Sequence, residues 1–326
     1  MTTIEWTGST WNPTTGCDQV SPGCDHCYAL TLAKRLKGMG SAKYQRDGDP
    51  RTSGPGFGIT EHPGALDVPL RWRTPRKVFV NSMSDLFHDG VSDGFIARVF
   101  AVMAATPQHT YQVLTKRHGR MRSFLRDECR CGAGHSPGVH LRSAMEWAAT
   151  PHSPTYVPGL ESGLFHRMAW PLPNVHIGVT VENQRWADIR IPALLDTPAA
   201  VRFLSCEPLL GPVDLSGWTD TPLVCGCSGE PGGLTFGCCA ACMLHKPSGL
   251  DWVICGGESG PGARLMDLEW PRTIVTQCQA AEVPVFVKQM GSRWAAEHGG
   301  GKGGDISQWP ADLRVREYPG RGMTTD

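Results

Sequence analysis

Val78-Phe79-Val80-Asn81-Ser82-Met83-Ser84-Asp85 is followed by Asp93-Gly94-Phe95-Ile96-Ala97-Arg98-Val99-Phe100-Ala101-Val102-Met103-Ala104-Ala105, and then by Tyr111-Gln112-Val113-Leu114-Thr115-Lys116-Arg117. The outer two begin as short apolar runs rich in β-branched and aromatic residues and end on polar ones. The middle one carries apolar residues at helical spacing. Strand, helix, strand in that order predicts parallel strands joined by a right-handed crossover. The alternation recurs. His176-Ile177-Gly178-Val179-Thr180-Val181, Val201-Arg202-Phe203-Leu204-Ser205, Trp252-Val253-Ile254-Cys255 and Val283-Pro284-Val285-Phe286-Val287 read as buried strands, with another near Trp11. The stretches 183–195 and 268–281 read as helices. The pattern predicts an α/β fold, a complete or partial (β/α) TIM-like barrel, with a doubly wound open sheet as the alternative.

In either architecture the reacting groups lie at the carboxyl ends of the strands. Here those ends read Asn81 to Asp85, Thr115-Lys116-Arg117, Glu182-Asn183, Ser205-Cys206-Glu207, Gly256-Gly257-Glu258-Ser259 and Lys288-Gln289. Their shared polarity predicts one active-site rim.

The second strong signal is Gly16-Cys17-Asp18-Gln19-Val20-Ser21-Pro22-Gly23-Cys24-Asp25-His26-Cys27-Tyr28, with spacing C-x6-C-x2-C. Packing alone does not explain three thiols this close. They read either as an iron–sulfur site that leaves one iron open or as a zinc site completed by His26 or a distant ligand. The loop precedes a helical stretch from Tyr28 to Leu36.

The chain has 326 residues and 13 cysteines, with 31 Lys and Arg balanced by 31 Asp and Glu. Zero net charge removes any bulk electrostatic argument for nucleic-acid binding and leaves a local basic patch open. No apolar run approaches the roughly 20 residues that span a bilayer, so no membrane partner is expected. The stretch from Met1 to Trp6 lacks the features of a signal peptide, and a cytoplasmic location is expected. In that compartment the cysteines read as metal ligands or buried thiols rather than disulfides. Cys206, Cys255 and Cys278 lie in apolar segments and read as core.

Two segments interrupt the alternation and read as insertions after barrel strands, about 127–171 and 216–249. In the second, Cys225, Cys227, Cys239 and Cys242 form two thiol pairs, a candidate structural zinc site with Cys238 and His245 as spare ligands. Cys129, Cys131, His135 and His140 in the first are a weaker set. The barrel is expected over 1–296, with 297–326, containing Gly299-Gly300-Gly301-Lys302-Gly303-Gly304, as a flexible tail.

A cysteine loop after the first strand resembles the radical S-adenosylmethionine superfamily. The usual spacing there is C-x3-C-x2-C; this chain has three extra residues in the first interval. The runs Ile4-Glu5-Trp6-Thr7, Trp11 to Cys17, Asn81 to His88, Val113 to Arg117, Glu207 to Gly211 and Gly256 to Gly260 look like an uncharacterised phage-encoded family, named for gene products 37 and 68 and regarded as radical-SAM-like. Ser84-Asp85 and Thr115-Lys116 also resemble positions of the spore photoproduct lyase branch, which repairs a thymine lesion in DNA.

The resemblance implies that Cys17, Cys24 and Cys27 hold a 4Fe-4S cluster whose open iron chelates S-adenosylmethionine. Reduction would cleave that cosubstrate to a 5′-deoxyadenosyl radical. Asp85 would then accept a hydrogen bond from the cosubstrate's amino group, or cap the following helix. Glu182 and Asn183 would hold ribose hydroxyls, with Glu207 a further candidate contact. Gly256 and Gly257 would permit close backbone approach, and Glu258 would face the pocket. Any of the three glutamates could instead form a structural salt bridge. Lys116, Arg117 and Lys288 would hold a phosphate or carboxylate of the substrate. The expected function is radical modification or repair of a nucleotide or nucleic acid, with an electron donor as partner and, for a phage protein, a location in the host cytoplasm. The alternative is a zinc-binding, non-redox protein that binds nucleic acid or a partner.

Overall fold

The computed structural model describes residues 4–127, 138–219, 249–299 and 301–320. Strand β1 (Ser9–Trp11) opens the main sheet. Strands β2 (Thr14–Thr15) and β3 (Thr60–Glu61) form a separate antiparallel pair. The main sheet continues through β4 (Lys77–Val80), β5 (Thr110–Thr115), β6 (Val175–Thr180), β7 (Val201–Cys206), β8 (Trp252–Cys255) and β9 (Val285–Val287). All neighbours in it are parallel, and their order in space is their order in the chain.

That order decides between the two architectures. A doubly wound sheet reverses direction at a switch point. This sheet adds every strand on the same side, as a barrel does, and leaves β1 and β9 as its two edges. The fold is therefore a curled parallel half-barrel.

Helices α1 (Tyr28–Gly38), α2 (Asp93–Ala105), α3 (His118–Arg126), α4 (Val139–Ala149), α5 (Gln184–Leu195), α6 (Ser216–Thr219), α7 (Glu269–Ala280) and α8 (Ser292–His298) complete the framework. Ser92 starts α2 by accepting a hydrogen bond from the Phe95 amide, an N-cap that satisfies one free helix donor. No helix among the described residues is long and apolar enough to cross a membrane.

Strand side chains alternate between faces. Val78, Val80, Tyr111, Val113, Ile177, Leu204, Val253 and Val285 join the large core that the helices cover. Phe79, Phe203, Trp252, Ile254 and Phe286 point the other way and gather with Trp6. Gly178 lies opposite Phe203, and a Cβ there would come within 2.5 Å of the Phe203 ring. The inner face is thus filled at depth by aromatic side chains and opens toward the carboxyl ends of the strands. Cys206, Cys255 and Cys278 are buried, as expected.

One expectation needs correction, that of the tail, and the first interrupting segment can be described in part. The described part of 138–171 is packed structure. Leu141, Met145, Ala148 and Ala149 on α4 are buried in the main core, and Phe165 follows them. Their apolar spacing is hidden in the sequence by the surrounding Gly, Pro and Ser. The tail is not a flexible appendage over its described residues either. Trp309 is 1% exposed and Leu313 is 0% exposed. The Val287 amide donates to Val315 O and the Glu317 amide to Val285 O, each at 2.9 Å. The tail therefore pairs with β9 and covers a sheet edge that would otherwise present unpaired backbone groups.

Candidate functional site

The cysteine loop lies across the carboxyl edge of the half-barrel. Gly16 carries the chain into it at φ +90, where a Cβ would meet the Gly58 backbone at 2.4 Å. Only glycine fits there without strain. Asp18 accepts hydrogen bonds from Thr52 Oγ1 at 2.6 Å and Ser53 Oγ at 2.9 Å, and its Oδ2 lies 3.0 Å from His88 Nε2. The Gly90 amide donates to His88 Nδ1 at 3.0 Å, so Nε2 carries the proton and donates to Asp18. Burial alone would raise the Asp18 pKa; the three side-chain donors outweigh it and hold the carboxyl below its ordinary value.

Ser21 Oγ donates to Glu182 Oε1 at 2.5 Å. Gln19 Nε2 donates to Cys24 O at 3.1 Å, and Arg117 donates to Asp18 O at 3.3 Å. From the far side, Arg264 donates to Pro22 O at 2.8 Å and meets Asp25 at 3.2 Å. The longer first interval of C-x6-C-x2-C is thus tied down at Asp18, Gln19, Ser21 and Pro22. Cys27 then stands at the N-cap position of α1, without a side-chain cap hydrogen bond.

Cys17, Cys24 and Cys27 line one cavity of about 250 Å³ at the strand ends. Burial pushes the Cys17 thiol up, the Asp85 carboxylate adds to the rise, and Arg117 opposes it. Burial likewise raises the Cys27 thiol. Among the described residues no three His, Cys, Asp or Glu side chains are gathered as ligands of a single metal ion. His26 turns its Nδ1 to Glu258 at 3.0 Å. The cavity wall offers three soft thiols, which suit thiophilic centres. Ligands of a polynuclear cluster bind different irons, whereas ligands of one zinc must converge on a single point.

Of the other residues singled out from sequence, Asp85, Lys116, Glu207, Gly257, Glu258 and Lys288 line the same cavity. Each has partners within the protein. Asp85 accepts three internal hydrogen bonds: Phe87 N and Thr115 Oγ1 donate to one oxygen at 3.0 and 2.7 Å, and Lys116 N to the other at 2.9 Å. It ties the end of β4 to the end of β5. Glu258 is held by more donors still. It receives the Arg264 side chain at 2.6 and 3.0 Å and the Arg264 amide at 2.8 Å. Burial pushes its pKa up, but these donors and His26 outweigh burial and bring it down to about 2. Lys116 Nζ reaches Thr180 Oγ1 at 3.3 Å, and Lys288 Nζ sits 3.0 Å from Glu207 Oε1. Deeper in, Ile4, Trp6, Phe79 and Leu114 give the cavity an apolar floor.

Four expected contacts fall outside the cavity lining. Glu182 is 0% exposed and paired with Arg190, also 0% exposed, at 2.9 Å. It is the glutamate that forms a buried salt bridge, because Arg190 lies two turns along α5 on the same face. Asn183 caps α5, accepting from Trp186 N at 3.4 Å. Gly256 sits against Gln289 O, where a Cβ would be 3.1 Å away; at Gly257, which still lines the cavity, a Cβ would meet Met290 O at 2.4 Å. Both glycines let the segments after β8 and β9 run on side by side. Arg117 supports the loop from behind. Cys225, Cys227, Cys238, Cys239, Cys242 and His245, with Cys129, Cys131 and His135, lie outside the described residues. His140 lies on α4.

Asp18, Ser21, His88, Arg190 and Arg264 were not singled out from sequence. The partners of Asp18, Ser21 and His88 lie far away in the chain, 70 positions for His88 with Asp18 and 161 for Ser21 with Glu182, while Arg190 and Arg264 stand 8 and 6 positions from Glu182 and Glu258. No local pattern marks the distant pairs.

A parallel half-barrel with a thiol-lined cavity at its carboxyl edge defines an α/β protein with a candidate cofactor or metal centre. The chain belongs to the DUF5131 family, described as a protein of unknown function, whose family model matches residues 1–321. No curated protein and no solved structure matches it.

Proposed function

We propose that the protein is a radical-SAM-like iron–sulfur enzyme that modifies or repairs a nucleotide or nucleic acid. The observation that carries this reading is the placement of Cys17, Cys24 and Cys27 together on the wall of one cavity at the strand ends. The three thiolates would hold the cluster, with the loop fixed by Asp18, Ser21 and Arg264. A cluster held there would supply an electron from an external donor to bound S-adenosylmethionine and so hydrogen-atom abstraction from the substrate.

The chain's own residues have separable tasks. Asp85 and Glu258 are spent on internal hydrogen bonds and set the positions of β5 and the loop. Glu207, Ser205, Gly257 and Lys288 line the cavity together with the thiols and would contact a cosubstrate. Lys116, at the end of β5, is placed to receive an anionic group. Trp6, Phe79 and Leu114 keep water from the depth of the site.

The test is anaerobic purification. Brown protein containing iron and sulfide is expected, with the colour lost in Cys24→Ala. Incubation with S-adenosylmethionine and a strong reductant should release 5′-deoxyadenosine. Colourless protein that holds only zinc after anaerobic reconstitution with iron and sulfide overturns the reading.

A further inference from the structure

We infer that the outward face of α1 and the turn after it form a docking track for single-stranded nucleic acid, which delivers one base at a time to the thiol-lined cavity. This rests on the cavity being the reaction site and names the form of its substrate.

Charge is the first observation. The chain is neutral overall, yet Tyr28 to Arg51 carries six Lys and Arg against two Asp, a net +4. Both carboxylates are occupied within the segment, Asp47 by Lys37 at 2.5 Å and Asp49 by Arg51 at 2.7 Å. Lys34, Arg35 and Lys43 are exposed and have no carboxylate partner among the described residues. A local cationic track on a neutral protein concentrates a polyanion at one place.

Geometry is the second. Tyr28 lines the cavity and is 51% exposed. Its hydroxyl is fixed on Ser82 O at 2.6 Å, which holds the ring at the lip of the site. Leu32 at 37% and Met39 at 69% exposure follow Tyr28 and flank Arg35 on the same helical stripe. An aromatic platform beside cations is how proteins grip single strands, with bases stacked on rings and phosphates on Lys and Arg.

Access is the third. The cavity opens at the strand ends, with Tyr28 at its lip. Chemistry on a base requires it outside the duplex stack. A protein partner is disfavoured because three separated apolar side chains make far less than the roughly 800 Å² per side of a standard interface.

The experiment is fluorescence anisotropy with labelled single-stranded DNA, single-stranded RNA and duplex DNA of one sequence, over a salt series. A single strand should bind more tightly than the duplex, and the DNA and RNA arms identify the polymer. Affinity should fall with salt by a log–log slope of roughly −0.7 per phosphate contacted. The double variant Lys34→Glu/Arg35→Glu, with an unchanged circular dichroism spectrum, should weaken binding at least ~10-fold and flatten that slope. Tyr28→Ala should weaken it by about 5- to 100-fold, the value of one stacked base. No binding, equal binding of duplex, or indifference to Lys34→Glu/Arg35→Glu overturns the track. Iron and sulfide are measured on the same preparations. Protein that keeps iron but ignores single strands overturns the track alone; protein that binds them without iron overturns the cluster reading alone.

Discussion

Ser21, in the middle of the cysteine loop, donates its hydroxyl hydrogen to the fully buried carboxylate of Glu182 at the end of β6, 2.5 Å away. The other Glu182 oxygen accepts from Arg190 at 2.9 Å. One carboxylate therefore joins the loop to the barrel and neutralises a guanidinium that has no access to water. Gly23 sits against the same side chain, where a Cβ would come within 2.6 Å of Glu182 Oε1.

Glu182→Ala is expected to destabilise the protein by about 3–5 kcal/mol, because it leaves the Arg190 charge buried without its carboxylate. Ser21→Ala should cost about 1–3 kcal/mol, the range for a hydrogen bond to a charged group. The two effects share a partner and should not add. Chemical denaturation of both single variants and the double variant checks this; strict additivity would show that the loop and the ion pair are independent.

Glu258 predicts a pH dependence. Its pKa is held at about 2, below the ordinary 4.5, by Arg264 and His26. A carboxyl depressed in the folded state contributes stability that is present above its unfolded pKa and is lost as pH falls through the folded one. The melting temperature should therefore decline between about pH 4.5 and pH 2, in part through this group. Glu258→Gln should be less stable at neutral pH and show a shallower acid decline. An acid limb with the parent slope in Glu258→Gln would assign that decline to other carboxyls.

The half-barrel was legible because its cause is local. Val78 to Val80 and Tyr111 to Thr115 show short apolar runs, and α2 shows helical spacing over its whole length. The polar strand ends marked the cavity for the same reason: side chains at Lys116, Glu207 and Lys288 reach it from fixed positions after a strand. The fate of each carboxylate was not legible. Glu182, Glu207 and Glu258 occupy like places in sequence, and only the position of Arg190 on α5 and of Arg264 after β8 decides which are consumed. The tail was hidden by composition. Its glycines lead into Trp309 and Leu313, two core residues too few to form a periodic pattern.

Trp309 tests that tail. It is buried, and its indole Nε1 donates to Gly303 O at 2.9 Å. Trp309→Ala should cost about 3–5 kcal/mol, the range for emptying a large aromatic site. Truncation after residue 299 should be worse still, since it also uncovers β9 and should promote aggregation through the exposed edge. Thermal unfolding and light scattering read both effects. A truncated protein that melts with the parent and stays monodisperse would make the tail an accessory.

Asp18 and His88 make the last test, on the loop itself. Asp18 is partly exposed, with 36% of its side chain open to solvent, so screening lowers the value of each bond it makes. Asp18→Ala should therefore reduce global stability by only about 1–2 kcal/mol. Its local effect should be larger in kind, because Thr52, Ser53 and His88 all converge on that carboxylate next to Cys17. Amides of the loop from Cys17 to Cys24 should exchange about tenfold faster, as expected when local opening is easier by about 1.4 kcal/mol. His88→Ala removes one of the three donors and should show a smaller rise. His88→Gln, which keeps an amide donor, should recover part of the protection. If loop exchange in Asp18→Ala equals that of the parent, the Asp18 anchor does not order the thiols, and the rigidity of the loop must come from Ser21 and Arg264 instead.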